Sequence, residues 1–455
     1  MRVGVRGAVA AAIGMLAFLT AAPASADEPT AEDGLWYFDW FGVQDQHDQG
    51  ITGDGVTVAV IDEPVNLEVP TLADADIRVQ TSPCILEDGQ PLAPTSTDLE
   101  LADHGTSVLS YLVGSGAGYD GQPGVKGIAP DATVLSYAVQ LDDPCTGEDG
   151  PTGLPRYAPD VLAYSMMDAM DQGANIISVS LGLGTEPFLE EAVARAVREG
   201  VIVVASVANI GEDSIAADAP ASLNGVVSVN QTNADEETPT IPYTDVSAPG
   251  AGLLDQGRDG DWSQLTLGSG TSFATPIVAG NLALAMQKYP QATGNQLIQS
   301  LIHNTGFEPH DLVFDPTMGY GVVLTDRFLS VDPAQYPDVN PLVTNFSDVQ
   351  PTVDIIWGDE QDVEAAEAPE ERPWPTYTPV ASPSDTGSAP ELTDEPTAAP
   401  DAGSAQSDDP APSGAPGWML PSIVAGLVVL AIIITVIVLV ASRTKHSNGG
   451  QHGSQ

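Results

Sequence analysis

The chain alternates short β-branched runs with longer segments whose apolar positions recur every three or four residues. Val56-Thr57-Val58-Ala59-Val60-Ile61 is continuous enough to fill a strand covered on both faces, and it ends on Asp62. Similar runs at 132–139, 175–180, 201–206 and 226–229 predict further strands. Between them, 160–173 carries Leu162, Met166, Ala169 and Met170 on one helical face, and 186–199 carries Leu189, Val193 and Val197. A Gly/Ser turn at 268–270 runs into an apolar segment ending at Met286, and 293–303 reads as one more amphipathic helix. Such alternation predicts an α/β domain: a parallel sheet with helices on both faces, closing near Val331.

The two ends follow other patterns. Arg2 and Arg6 precede an apolar run at 8–22 and the small-x-small Ala24-Ser25-Ala26, so 1–26 reads as a signal peptide and Asp27 as the mature start. The arm at 27–51 holds Trp36, Tyr37, Phe38, Trp40 and Phe41, aromatic enough to pack on the body at 52–331. The 332–363 stretch stays undetermined, and 364–417 is acidic and Pro-rich with too little apolar content to fold. Then 423–441 is an apolar segment of 19 residues, followed by Arg443 and Lys445 in a tail at 442–455. That is a transmembrane helix with the tail cytoplasmic, so a single-pass protein in the cell membrane with its body extracytoplasmic is expected.

Charge narrows the partners. The chain has 63 acidic against 13 basic residues, a formal charge of −50. Nucleic acid would be repelled, and a solubilising surface is the plain explanation. Two cysteines, Cys84 and Cys145, in loops of an exported body predict one disulfide, with a two-cysteine metal site as the alternative.

Three positions suggest chemistry. Asp62 sits where open α/β sheets place reactive groups, at the C-terminal end of a buried strand, although a turn residue is the bland reading. His104 opens an apolar, helix-like run at Asp103-His104-Gly105-Thr106-Ser107-Val108. Ser272 stands at a helix start, where unpaired N–H groups and the dipole favour developing negative charge; Gly-Thr-Ser there is also an ordinary cap. A serine hydroxyl needs a base and a group that orients the base, and those residue types precede it.

Taken together, Asp62, His104-Gly105-Thr106 and Gly270-Thr271-Ser272-Phe273-Ala274-Thr275-Pro276 resemble the subtilisin-like serine proteases in order and in motif. Lesser matches are Gly127-Ile128-Ala129-Pro130, Ile177-Ser178-Val179-Ser180-Leu181-Gly182, Val203-Val204-Ala205-Ser206-Val207-Ala208-Asn209 and Ser247-Ala248-Pro249-Gly250. The resemblance implies a serine endopeptidase that takes a polypeptide substrate; no cofactor and no metal ligands are assigned from the sequence, and calcium sites stay open. Ser272 is then the nucleophile, His104 the base, Asp62 its orienting carboxylate and Asn209 an oxyanion donor. Ser180, Leu181 and Gly182 line the groove where an extended peptide adds as a strand.

Two departures stand out. Glu63-Pro64 follows Asp62 where the family has Thr or Ser and then Gly, and Ala208 replaces the Gly before Asn209. The layout of signal peptide, arm, body, tether and single span is similar to the mycosins, the membrane-anchored subtilases of type VII secretion systems. A weakly active or inactive subtilase, kept as a structural part of that machine, is the alternative function, and a general surface protease is a third. The expected acid limb of a pH profile, for a histidine with a carboxylate partner, lies at about 6 to 7.5.

Overall fold

The computed structural model describes residues 34–356, apart from 87–88, 140–157, 208–218, 242, 259, 307–309, 311, 345–349 and 353–354. The chain divides into two compact units, 1–386 and 387–455, and every described residue belongs to the first. In order, the arm forms α1 (Trp36–Trp40) and α2 (Val43–His47), followed by β1 (Thr57–Asp62), β2 (Ile77–Val79) and α3 (Leu99–Val113). Then come β3 (Ser115–Ala117), β4 (Pro123–Lys126), β5 (Thr133–Ala138), α4 (Ala158–Asp171), β6 (Ile176–Val179), α5 (Pro187–Glu199) and β7 (Ile202–Ser206). The remainder is β8 (Val227–Thr232), β9 (Val246–Pro249), β10 (Ala251–Arg258), β11 (Asp261–Ser269), α6 (Thr271–Lys288), α7 (Gly294–His303) and α8 (Thr325–Leu329).

Seven parallel strands form one sheet in the order β2-β5-β1-β6-β7-β8-β9. β1 is the point of reversal, because β5 pairs with one of its edges and β6 with the other. Ligand crevices of open α/β sheets lie outside the carboxyl ends of the strands at such a switch, and Asp62 is the last residue of β1. Both faces of the strand are buried. Val58 and Val60 join a core with Val108, Leu109, Val278 and Leu282 of α3 and α6, whereas Ala59 and Ile61 join Leu162, Met166 and Val193 of α4 and α5. The continuous apolar run thus has the physical cause read from it, two helical layers on one strand.

Regular elements expected from periodicity appear within a few residues of their expected bounds. α3 is an exception: it starts at Leu99, with the Asp98 side chain accepting from the Glu100 N–H, so His104 lies in the second turn and not at the start. Leu99-Glu100-Leu101-Ala102 are strong helix formers that extend the helix backwards. The β10–β11 hairpin was not expected, because β11 is largely exposed and carries polar residues at most positions.

The arm does pack on the body. Tyr37, Phe38 and Phe41 are buried, the Tyr37 hydroxyl donates to the Lys126 carbonyl, and the Trp36 indole donates to the Gly252 carbonyl at 3.2 Å. Trp36, Trp40 and Phe41 also wall an apolar cavity of about 620 Å³ with Met318, Tyr320 and Val322 opposite; neither Asp62 nor His104 lines it. Beyond Val331 the chain docks back: the Asn340 amide donates to the Gly225 carbonyl at 3.1 Å, and Leu342 and Ile356 are buried. Asn224 fastens the same segment, its N–H donating to the Gln350 carbonyl at 2.7 Å and its amide to the Thr344 carbonyl at 2.9 Å. Among the described residues no helix is long and apolar enough to cross a membrane. The expected signal peptide, tether, span and tail lie outside the described residues.

Candidate active site

Asp62 and His104 meet above the end of β1. Asp62 is 1% exposed, and its Oδ1 accepts from the Glu63 N–H at 2.8 Å and lies 2.6 Å from His104 Nδ1. Oδ2 is buried and meets no hydrogen-bond donor among the described residues. A Thr or Ser at 63 would bring a hydroxyl beside this carboxylate; Glu63 brings a second negative charge. The turn after β1 leaves no room behind the histidine. A Cβ on Gly105 would stand 2.4 Å from the Glu63 carbonyl oxygen and 2.7 Å from that of Pro64, so the residue after His104 has to be glycine.

Electrostatics favour a charged ring. Burial, the largest single influence, opposes protonation of His104, but Asp62, Glu63 and Asp103 together outweigh it and raise the pKa from 6.5 to about 9. That lies above the range of about 6 to 7.5 expected for a histidine with one carboxylate partner, because Glu63 and Asp103 flank the pair. Asp103 is held in place by accepting from the N–H of His104 itself at 2.8 Å. The ring stays 29% exposed, open towards solvent.

Ser272 is the second residue of α6, and Gly270 occupies the cap position, so the serine hydroxyl is not consumed in capping. It donates instead to the Ser180 carbonyl at 3.4 Å, while Ser180 Oγ donates to the Ser272 carbonyl at 2.9 Å. Ser180 directly follows β6, whose Val179 pairs with Ile61 of β1, which puts Ser272 one strand across from Asp62. Leu181 is buried and Gly182 exposed beside it. The α6 start is further tied down by Thr271, whose hydroxyl donates to the Val207 carbonyl at 2.6 Å just past β7. Asn209, the expected oxyanion donor, lies outside the described residues. A base bonded to a buried carboxylate, a serine at a helix start and the strand-end backbone beside that serine can support acyl transfer.

A family model for the subtilase family, Peptidase S8, matches residues 53–322, more than half of the chain. The chain belongs to the subtilase family. Among curated relatives, this subtilase is 29% identical over 271 residues to a thermostable alkaline protease of Halalkalibacterium halodurans, a match covering 58% of the chain and 66% of that protein. It is 32% identical over 264 residues to subtilisin BL of Lederbergia lenta, covering 57% of the chain and 86% of the relative. Among solved structures it superposes on MycP1 from the ESX-1 type VII secretion system with a TM-score of 0.54 and 22% identity, over 71% of the chain and 91% of that structure. At that identity the likeness speaks for the fold.

Two further features of this subtilase lie beside the site, the first expected from its sequence and the second not. Cys84 is buried and disulfide-bonded; Cys145, its expected partner, lies outside the described residues. Asp255 on β10 is a half-buried carboxylate, and Ser107 of α3 donates to it at 2.6 Å. The signal for Asp255 in the sequence was an aspartate directly after the apolar pair Leu253-Leu254, and it remains silent until the hairpin is known.

Proposed function

We propose that this subtilase is a serine endopeptidase that hydrolyses peptide bonds through Ser272, His104 and Asp62. The observation that carries the reading is the 2.6 Å contact of His104 Nδ1 with buried Asp62 at the end of the central strand. With Nδ1–H donated to Asp62, the Nε2 lone pair is left to take the proton of Ser272 Oγ as that oxygen attacks the substrate carbonyl. The protonated ring then gives its proton to the leaving amine, and water repeats the sequence on the acyl-enzyme. The α6 N-terminus and Asn209 stabilise the oxyanion; losing one such donor costs about 10²–10³ in turnover. Ser180, Leu181 and Gly182 offer backbone for an extended polypeptide to pair with.

The same reading places the body outside the cell membrane on one C-terminal helix at 423–441, after removal of residues 1–26, with a Cys84–Cys145 disulfide as the one pairing two cysteines allow. The mycosin-like layout and the likeness of fold to MycP1 favour association with type VII secretion machinery. A second reading, a weakly active or inactive subtilase serving that machine as a structural part, draws on the unmatched Asp62 Oδ2 and on the Ser272 hydroxyl being bonded to Ser180.

An active-site serine phosphonate decides between them. Labelling of the wild-type chain, absent in Ser272→Ala, together with loss of peptide hydrolysis in that variant, is the expected result. If neither chain is labelled and Ser272→Ala supports secretion as well as wild type, while deletion of the protein stops it, the structural reading replaces the catalytic one.

A further inference from the structure

Asp255 takes no part in the mechanism above, yet it lies where the base helix meets the hairpin that delivers the nucleophile. Ser107 follows His104 by three residues, on the same side of α3, and its Oγ donates to Asp255 Oδ1 at 2.6 Å. The same oxygen accepts the Gln256 N–H at 2.9 Å. One turn on, the Tyr111 hydroxyl donates to the Leu254 carbonyl at 2.9 Å, so α3 is fastened to β10 at two successive turns. β10 pairs with β11, Asp255 facing Thr266, and β11 ends at Ser269, two residues before α6 begins. At that junction a Cβ on Gly268 would lie 2.3 Å from the Phe273 ring and 3.1 Å from Asp255 Oδ2. Phe273, next to Ser272, packs on Tyr111 with ring centroids 4.8 Å apart.

A carboxylate drawn largely out of water is a costly way to make a packing contact, but it accepts the Ser107 hydroxyl more strongly than the neutral amide of an asparagine would, so it fastens α3 more firmly. Asp255 is kept half-ionised at about pH 6: burial raises its carboxyl, the bonds from Ser107 and Gln256 lower it, Asp103 raises it and His104 lowers it. The charge-bearing neighbours on α3 are thus Asp103, which opposes its ionisation, and His104, which favours it; Tyr111 of the same helix stays neutral because burial raises its phenol well above 10. From its own strand the flanking side chains are buried Gln256 and exposed Arg258, and from β11 and α6 the facing residues are Thr266, Gly268 and Phe273.

We propose that Asp255 is a positioning residue of the subtilase site, holding the His104 helix in register with the Ser272 hairpin through Ser107 while its negative charge supports the protonated ring during turnover. This rests on the reading of His104 as base and Ser272 as nucleophile. The charge arrives on a rigid path, since helix, strand and hairpin are all hydrogen-bonded to one another. Asp62 orients the ring from one side; Asp255 anchors the helix beneath it.

The test uses the full-length chain, its Asp255→Asn and Ser107→Ala variants, peptide-hydrolysis kinetics, and NMR titration of the His104 ring assigned with a His104→Gln variant. Asp255→Asn is expected to lower kcat about tenfold with KM within about twofold, since small misplacements of a catalytic group are costly. It should also move the His104 titration down by about half a unit, because one negative charge is gone. Ser107→Ala keeps the charge, so it should lower kcat by about threefold and leave the titration in place. If Asp255→Asn leaves either kcat or the titration unchanged, or if Ser107→Ala leaves kcat unchanged, the proposal is overturned. Should Asp255→Asn fail to fold, the Ser107→Ala kinetics decide. If the wild-type chain takes no phosphonate and cleaves nothing, the catalytic reading has failed on its own, and the titration of Asp255→Asn still decides whether the carboxylate acts on His104.

Discussion

At the scale of single residues, the site differs from a neutral histidine–carboxylate pair by the company it keeps. Glu63 and Asp103 add to Asp62 in holding His104 charged to about pH 9, so hydrolysis, which needs the neutral ring, should rise roughly fiftyfold between pH 7 and pH 9. Glu63→Gln should shift that limb to lower pH; a rate flat from pH 6 to 9 would count against His104 as base. Stability runs the other way. The folded pKa lies above the unfolded value of 6.5, so the protonated ring stabilises the fold fully below pH 6.5, and this contribution is lost as pH rises through about 9. Thermal melts should therefore fall over the window in which activity climbs. Gly105→Ala, whose Cβ would meet two backbone carbonyls, should cost about 1–3 kcal/mol by displacing the turn after β1, and lower kcat at least about tenfold with the Asp62–His104 contact disturbed.

At the scale of elements, α7 shows how much a local rule specifies. Thr293 accepts from the Gln296 N–H at 3.2 Å while the Gln296 side chain accepts from the Thr293 N–H at 3.1 Å, a reciprocal cap legible as Thr-x-x-Gln before an apolar stripe. Thr293→Ala should lower stability by about 1 kcal/mol in denaturant unfolding, a little more if the bond from Thr293 Oγ1 to Asp338 counts, and leave kcat alone. The β10–β11 hairpin is the opposite case. It is held by strand pairing and by contacts to α3 rather than by its own apolar alternation, so neither the hairpin nor the role of Asp255 announces itself along the chain.

At the scale of the molecule, the body extends past the last periodic segment. Leu342 and Ile356 are buried and Asn224 and Asn340 bind the returning chain, so truncation after Val331 should lower stability by about 3–5 kcal/mol and reduce the yield of folded protein. The proposed Cys84–Cys145 disulfide would close a loop of 61 residues and contribute roughly 4 kcal/mol in the chain-entropy model. Reduction under native conditions, followed by thermal melting, checks both its presence and its size; a melting temperature that does not move would argue against the pairing.

What the amino-acid sequence determined by itself is whatever depends on neighbours along the chain. β1, with both faces apolar, had to be a central strand; the helices between strands follow from period and capping; and Asp62, His104 and Ser272 sit in motifs whose spacing is local. The sequence also limited the alternatives for the ends, through two apolar runs and their flanking charges. Tertiary structure decided what depends on residues far apart. His104 acquires its raised pKa from carboxylates on two different elements, Ser107 meets Asp255 across 148 positions, and Ile356 finds its core only once the body exists. Periodicity reports the face a side chain presents; it carries no record of which distant charge that face will meet, and electrostatics in a buried site depends on that distance.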